Sequence, residues 1–178
     1  MPVVRGYSIE VQNRRQFFVI AGAGLGLAPL VAWLARSETV ETRAMIGTSF
    51  PVQKTDAAWR AALTSEQYRV LRSSGTERAF SSPLDGEKRA GTFACAACDQ
   101  PLFSSATKYD SGTGWPSFWE PLDSAVGTSV ERGLFMIRIE VHCARCGSHL
   151  GHLFPDGPRP TGQRYCMNGV AMGFNPEA

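Results

Sequence analysis

Two cysteine pairs of identical spacing, Cys95-Ala96-Ala97-Cys98 and Cys143-Ala144-Arg145-Cys146, carry the strongest chemical signal in the 178-residue chain. In a CxxC unit a tight turn points both sulfurs at one position. Two such units supply the four thiolates of a closed tetrahedral zinc site, one Zn(2+) per chain. The 44 residues between Cys98 and Cys143 exceed the spacing of a compact zinc ribbon, so the ion would staple two distant segments of one domain. Two disulfides are the competing use of the same residues, favoured in an oxidising compartment.

Cys166 is left over, in Arg164-Tyr165-Cys166-Met167-Asn168-Gly169. If this run is extended, Arg164, Cys166 and Asn168 share one face, and Tyr165 and Met167 the other. A guanidinium two residues away favours the thiolate, which is the nucleophilic form. The other use of such a residue is as a small buried hydrophobe, against which its polar neighbours argue. All three histidines, His142, His149 and His152, cluster around the second CxxC. A zinc site of mixed ligands would be one use for them. Four cysteines already close a structural site, however, which leaves the imidazoles spare for either a structural role or proton chemistry. Gly112-Thr113-Gly114-Trp115-Pro116-Ser117-Phe118-Trp119 reads either as an aromatic wall on a loop or as a piece of core. A thiolate, two imidazoles and an aromatic wall suit a substrate with a soft, methyl-bearing, polarised centre.

The elements that must position these groups are short. The chain is 43% hydrophobic and 19% charged, with 18 Gly and 11 Pro, a composition that favours short strands over a helical bundle. Thr64-Ser65-Glu66-Gln67 is a capping box opening a helix that runs to about Arg72 and ends at Ser73-Ser74-Gly75. In Leu134–His142, Ile137, Ile139 and Val141 alternate with polar residues, the pattern of a half-buried strand. The net charge of +2 lies wholly in residues 1–49, leaving the body neutral, which excludes a nucleic-acid binder.

Residues 1–36 read as an address. Phe17 to Ala35 is nineteen residues without a charge, between Arg14-Arg15 and Arg36. The run is long enough to span a bilayer, but its glycines and Pro29 make it weakly hydrophobic. A basic region before a mild apolar one is the layout of an export signal, and Asn13-Arg14-Arg15-Gln16-Phe17-Phe18 resembles the twin-arginine pattern. Trp33 spoils a small-x-small cleavage site after Ala35, so an uncleaved anchor contacting the membrane stands beside a removed signal. Residues 37–55 read as a polar linker and 56–176 as the domain.

Several long motifs in order give the body a family likeness: LTSEQYRVLRSSGTERAFSSPL (63–84), the first CxxC, TKYDSGTGWPSFWEPL (107–122), CARCGSHLGHLFPDGPRPTG (143–162) and RYCMNG (164–169). Together they resemble the B-type methionine sulfoxide reductases, which reduce the R epimer of methionine sulfoxide. The resemblance implies a mainly β fold, two small antiparallel sheets with short helices, with a structural zinc held by Cys95, Cys98, Cys143 and Cys146 away from the active site. It implies Cys166 as nucleophile, His149 and His152 as active-site histidines, Asn168 as the polar residue that helps bind and orient the substrate, and Arg164 as a support for the thiolate. Trp115 and Phe154 are implied as substrate-binding residues. It also places Thr113 where many relatives carry a second, disulfide-forming cysteine. The implied partners are oxidised methionine in peptides or proteins and an external thiol reductant, thioredoxin-like or small. With the export signal, the expected location is the bacterial periplasm. The rivals are a non-catalytic zinc-stapled binding module, which gives Cys166 no role, and a thiol-disulfide oxidoreductase using a CxxC.

Overall fold

The computed structural model describes residues 49–132 and 136–177, so the export signal expected in residues 1–36 lies outside the described residues. Among the described residues no helix is long and apolar enough to cross a membrane.

Two short helices open the domain. The first, α1 (Asp56–Ala62), is capped by the Thr55 side chain and buries only Trp59. The second, α2 (Ser65–Ser73), has the expected capping box, with Thr64 and Gln67 each accepting from the other's backbone N–H. Ser74 closes it in the left-handed conformation. The end of the expected linker is in fact docked. Val52 packs on the core and donates its N–H to Arg145 O at 2.9 Å, and the Phe50 ring meets His142 edge-on.

The rest is antiparallel β structure. Strands β1 (Gly91–Cys95), β2 (Pro101–Ser104), β3 (Lys108–Tyr109), β4 (Ser117–Phe118), β5 (Val126–Arg132), β6 (Ile137–Cys143), β7 (His149–Phe154), β8 (Arg164–Met167) and β9 (Met172–Pro176) form two sheets. The smaller runs β2-β1-β9, and the larger β3-β4-β8-β7-β6-β5. This is the mainly β, two-sheet architecture expected from the sequence. One face of the larger sheet, carrying Phe118, Tyr165, Met167 and Val141, packs into a core with Phe93, Phe103 and Leu102. Phe118 stacks on Phe103 with centroids 4.3 Å apart, so the Gly112–Trp119 segment is divided: Phe118 is core, while Trp115 and Trp119 are only half-buried.

The β6 strand forms, but its apolar face is less covered than the alternation suggests. Val141 is fully buried, whereas Ile139 is 41% and Ile137 65% exposed. The core ends beneath Val141, and the β5–β6 hairpin carries its outer residues beyond it.

Candidate active site

The other face of the larger sheet is polar, and its pairing register builds a row across five strands. Ser129 on β5 is opposite Glu140 on β6, Glu140 is opposite His152 on β7, His152 is opposite Cys166 on β8, and Cys166 is opposite Ser117 on β4. Cross-strand partners share a face, so the register itself puts nucleophile, imidazole and carboxylate side by side.

His149 joins this row through an irregularity. His149 and His152 are three residues apart, which in a regular strand puts them on opposite faces. The register between β6 and β7 shifts at Val141/His142, so that Val141 faces Gly151 but His142 faces His149. The extra residue on β7, Leu150, turns into the core, and the two imidazoles meet at 5.3 Å between centroids. Each ring is held by a carboxylate that sequence reasoning missed. His149 Nδ1 lies 2.8 Å from Glu140 Oε1, and His152 Nε2 lies 3.0 Å from Glu131 Oε2. Ser129 Oγ donates to the other Glu140 oxygen at 2.6 Å. Burial pushes the Glu140 carboxyl up, but the hydrogen bonds from Ser129 and His149 and the nearby imidazoles outweigh it and hold the group below the usual range.

Cys166 is half-buried. Burial pushes its thiol up, the Arg164 charge pulls it down, and hydrogen bonds from Thr113 and Arg164 pull the same way. The balance remains above the ordinary value. Arg164 acts in the direction expected of it, toward the thiolate, but desolvation is larger. Arg164 is itself fixed by Asp156, which accepts from its Nε and Nη2 at 2.8 and 2.9 Å, and it lies 4.4 Å over the Phe154 ring. The structure thus places Phe154 as a platform for Arg164. Thr113 Oγ1 is also 2.8 Å from Ser111 Oγ, on a loop whose Gly112 and Gly114 adopt φ of +70° and +84°.

Asn168 departs from the single-face reading. Strand β8 ends at Met167, and Asn168, 3% exposed, opens the 3-10 turn Gly169–Ala171. Its Nδ2 donates to Leu150 O at 3.0 Å and its Oδ1 accepts from the Glu77 N–H at 2.9 Å. Glu77, unremarked in the sequence, is the hub on that side. Its two carboxyl oxygens accept from the N–H groups of Gly169 and Val170, and its main-chain carbonyl accepts from Trp115 Nε1 at 3.3 Å.

The two CxxC pairs converge at a separate place. Cys95 and Cys98 flank the turn after β1, Cys143 and Cys146 the turn between β6 and β7, and all four sulfurs lie within 4.8 Å of one another. Cys95–Cys146 is 3.8 Å and Cys98–Cys143 is 3.6 Å. A tetrahedral ion with Zn–S near 2.3 Å requires sulfur–sulfur edges of about 3.8 Å, whereas a disulfide requires about 2.05 Å. The donor set therefore fits zinc in both type and spacing. Burial pushes the Cys98 thiol up to about 12, a cost that a divalent cation among the four sulfurs offsets.

The family model described as SelR domain matches residues 63–176. A protein of Methanosarcina mazei, named peptide methionine sulfoxide reductase MsrB, is 56% identical over 127 residues, covering 71% of this chain and 91% of that protein. Proteins of the same name from Agrobacterium fabrum (53% over 130 residues, 72% and 96% covered) and Pseudomonas putida (56% over 126 residues, 70% and 95% covered) match equally broadly.

Proposed function

The chain belongs to the SelR-domain family, and from that premise we propose that it is a peptide methionine-R-sulfoxide reductase with Cys166 as nucleophile. The observation that carries the assignment of roles is the row of Glu140, His152 and Cys166 across β6, β7 and β8. In the first step the Cys166 sulfur, as thiolate, attacks the sulfoxide sulfur while a protonated imidazole, His149 or His152, gives a proton to the oxygen. Unprotonated, that oxygen is a poor leaving group. The S–O bond of the substrate breaks, and the protonated oxygen ends on the Cys166 sulfur as the transient Cys166–substrate S–S bond breaks. Methionine departs with its sulfur reduced by two electrons, and Cys166 is left as the sulfenic acid. Two equivalents of an external thiol then return Cys166–SOH to the thiol, with release of one water and one disulfide. Burial holds the Cys166 proton more tightly than that of an ordinary thiol, and Arg164 and Thr113 pull the other way, so these two are the groups that favour the attacking thiolate. Trp115, half-buried and tied to Glu77, provides the apolar surface for the substrate methyl group.

The zinc, when bound by Cys95, Cys98, Cys143 and Cys146, supplies cross-linking and charge neutralisation between the β1 turn and the β6–β7 turn, and no step of the reaction. Clustering of both CxxC pairs around one point is why neither serves as a redox pair here. Residues 1–36 export the folded, zinc-loaded domain by the twin-arginine route to the periplasm, a reading supported by Arg14-Arg15 and the uncharged run after them. Replacing both arginines by lysine and following the protein by cell fractionation tests this; periplasmic arrival of the variant at the wild-type level refutes it.

The catalytic reading is tested by turnover of the separated R and S epimers of a methionine sulfoxide peptide with a dithiol reductant. The R epimer alone should be consumed, and Cys166→Ser should abolish turnover while zinc content is retained. An R epimer left untouched by the wild-type protein would sink the assignment.

A further inference from the structure

Among the described residues, Ser74, Phe80, Asp99 and Ser124 are the non-glycine residues with left-handed backbone. Three of them are small and polar. Phe80, at φ +62°, is the exception, and a bulky apolar residue is strained in that region. It is also the most exposed of the large hydrophobic residues described, at 73%. Burial of the ring therefore does not offset the strain, and contacts between two loops hold it instead. Phe80 N–H donates to Gly114 O at 2.7 Å, and Ser81 N–H donates to Arg78 O at 3.2 Å. Trp115 Nε1 donates back to Glu77 O at 3.3 Å, so the segments 77–80 and 114–115 clamp each other. The Phe80 ring rests on the bare Cα of Gly114, where a Cβ would sit 2.7 Å from the ring. Gly114 is bonded on one side to Thr113, whose hydroxyl reaches the Cys166 sulfur, and on the other to Trp115.

We propose, resting on the reductase reading, that Phe80 is a specificity-determining residue: its exposed ring continues the apolar surface of Trp115 outward and docks an apolar side chain close to the oxidised methionine in an extended peptide segment. On the β5–β7 side the site presents Ser129, Glu131 and Glu140, which offer nothing to such a side chain. The loop of Trp115 offers an aromatic face, and Phe80 lies on that loop. Strain retained in an exposed aromatic beside a reactive group is the pattern of a ligand clamp, because a relaxed backbone would aim the ring elsewhere. A ring left in water gains from covering by another apolar group, and an aliphatic side chain of the substrate supplies that cover.

Phe80→Asn separates docking from support, because asparagine tolerates left-handed backbone and lacks the ring. The probes are two capped heptapeptides with lysine at each end and methionine-R-sulfoxide at the centre. One carries leucine at the four flanking positions and the other serine. The wild type should prefer the leucine peptide by about three- to tenfold in kcat/KM, the gain from half-burying one leucine side chain, expressed chiefly in KM. In Phe80→Asn the preference should shrink to within about twofold. Its Tm should stay within about 2 °C of wild type or rise, since strain is relieved. Phe80→Trp keeps an aromatic face and should retain most of the preference. Ile137→Ala, which removes an exposed isoleucine on β6, should leave the preference as it is. A wild type that reduces both peptides equally well overturns the proposal. So does a Phe80→Asn protein with the wild-type preference, or an Ile137→Ala protein that loses it. A Phe80→Asn protein that melts well below wild type and is slowed equally on both peptides makes the ring a support for the loop, which also overturns it. If the wild type reduces neither peptide, it is the reductase reading that fails.

Discussion

Replacing Glu77 by glutamine should damage the protein twice, and the two effects can be measured apart. Glu77 is 5% exposed and accepts from Gly169 N–H at 2.6 Å and Val170 N–H at 2.8 Å, one to each oxygen. A glutamine offers one oxygen and one NH2, so one backbone N–H keeps its acceptor while the other faces a second donor. Gly169 is packed tightly against the Ser82 side chain, where even a Cβ would not fit, which limits movement of the turn on that side. Losing a hydrogen bond to a charged group and leaving a buried donor unmade costs about 2–3 kcal/mol. At roughly 4 °C per kcal/mol for a domain of this size, Tm should fall by about 8–12 °C. The second effect is on the site. The main chain of Glu77 holds Asn168 Oδ1 and Trp115 Nε1, so the carboxylate that anchors it also sets the position of both side chains. In the variant, kcat/KM toward an R-sulfoxide peptide, measured well below its Tm, should drop by more than the unfolded fraction explains. Glu66→Gln is the control, since Glu66 lies on the solvent side of α2 and pairs only with Arg69. A Glu77→Gln protein that melts within about 2 °C of wild type with unchanged kcat/KM would refute the reasoning.

Three further outcomes are expected. Cys98→Ser should lower zinc content and Tm far more than the chemical step in whatever protein remains folded; wild-type zinc by mass spectrometry would contradict the four-thiolate assignment. Alkylation of Cys166 should rise with pH through a midpoint above that of an ordinary thiol, because burial holds the protonated form, and Thr113→Val should move the midpoint further up by removing a hydrogen bond to the sulfur; an unmoved or lower midpoint argues against that contact. Without reductant, about one equivalent of substrate should be reduced per chain, leaving Cys166 heavier by one oxygen and open to sulfenic-acid reagents; Thr113→Cys should instead form a disulfide to Cys166 on turnover, and a Cys166 disulfide in the wild type would contradict the one-cysteine cycle.

What could be read from the sequence was what local chemistry and short spacings carry. The Thr64–Gln67 box needs only residues three apart, and it forms as written. The two CxxC pairs announce a common centre because each is a turn with both sulfurs on one side, and their 3.6–3.8 Å approaches follow. Helix α1 escaped notice because it is seven residues long and buries one side chain, too little for a periodic apolar stripe. The exposure of Ile137 and Ile139 escaped for a different reason: alternation tells which side chains share a face, but not how far along the strand the core extends.

The site was legible at its nucleophile and histidines and opaque at everything that holds them. Glu77 meets Asn168 from 91 residues away, Glu131 meets His152 from 21, and Arg72 reaches Ser148 from 76. No spacing rule covers such distances, since each pairing is created by tertiary packing, strand on strand or helix and loop against the sheet. The register shift at Val141/His142 is the clearest case. A period-two reading puts His149 and His152 on opposite faces, and a single extra residue, Leu150, reverses that by turning its own side chain into the core. The same shift brings His149 Nδ1 onto Glu140. One inserted residue in β7 thus fixes both which histidines share the face of Cys166 and which carboxylate holds His149 there. Its physical cause is the burial of Leu150, a packing preference that becomes visible only when the neighbouring strands are in place.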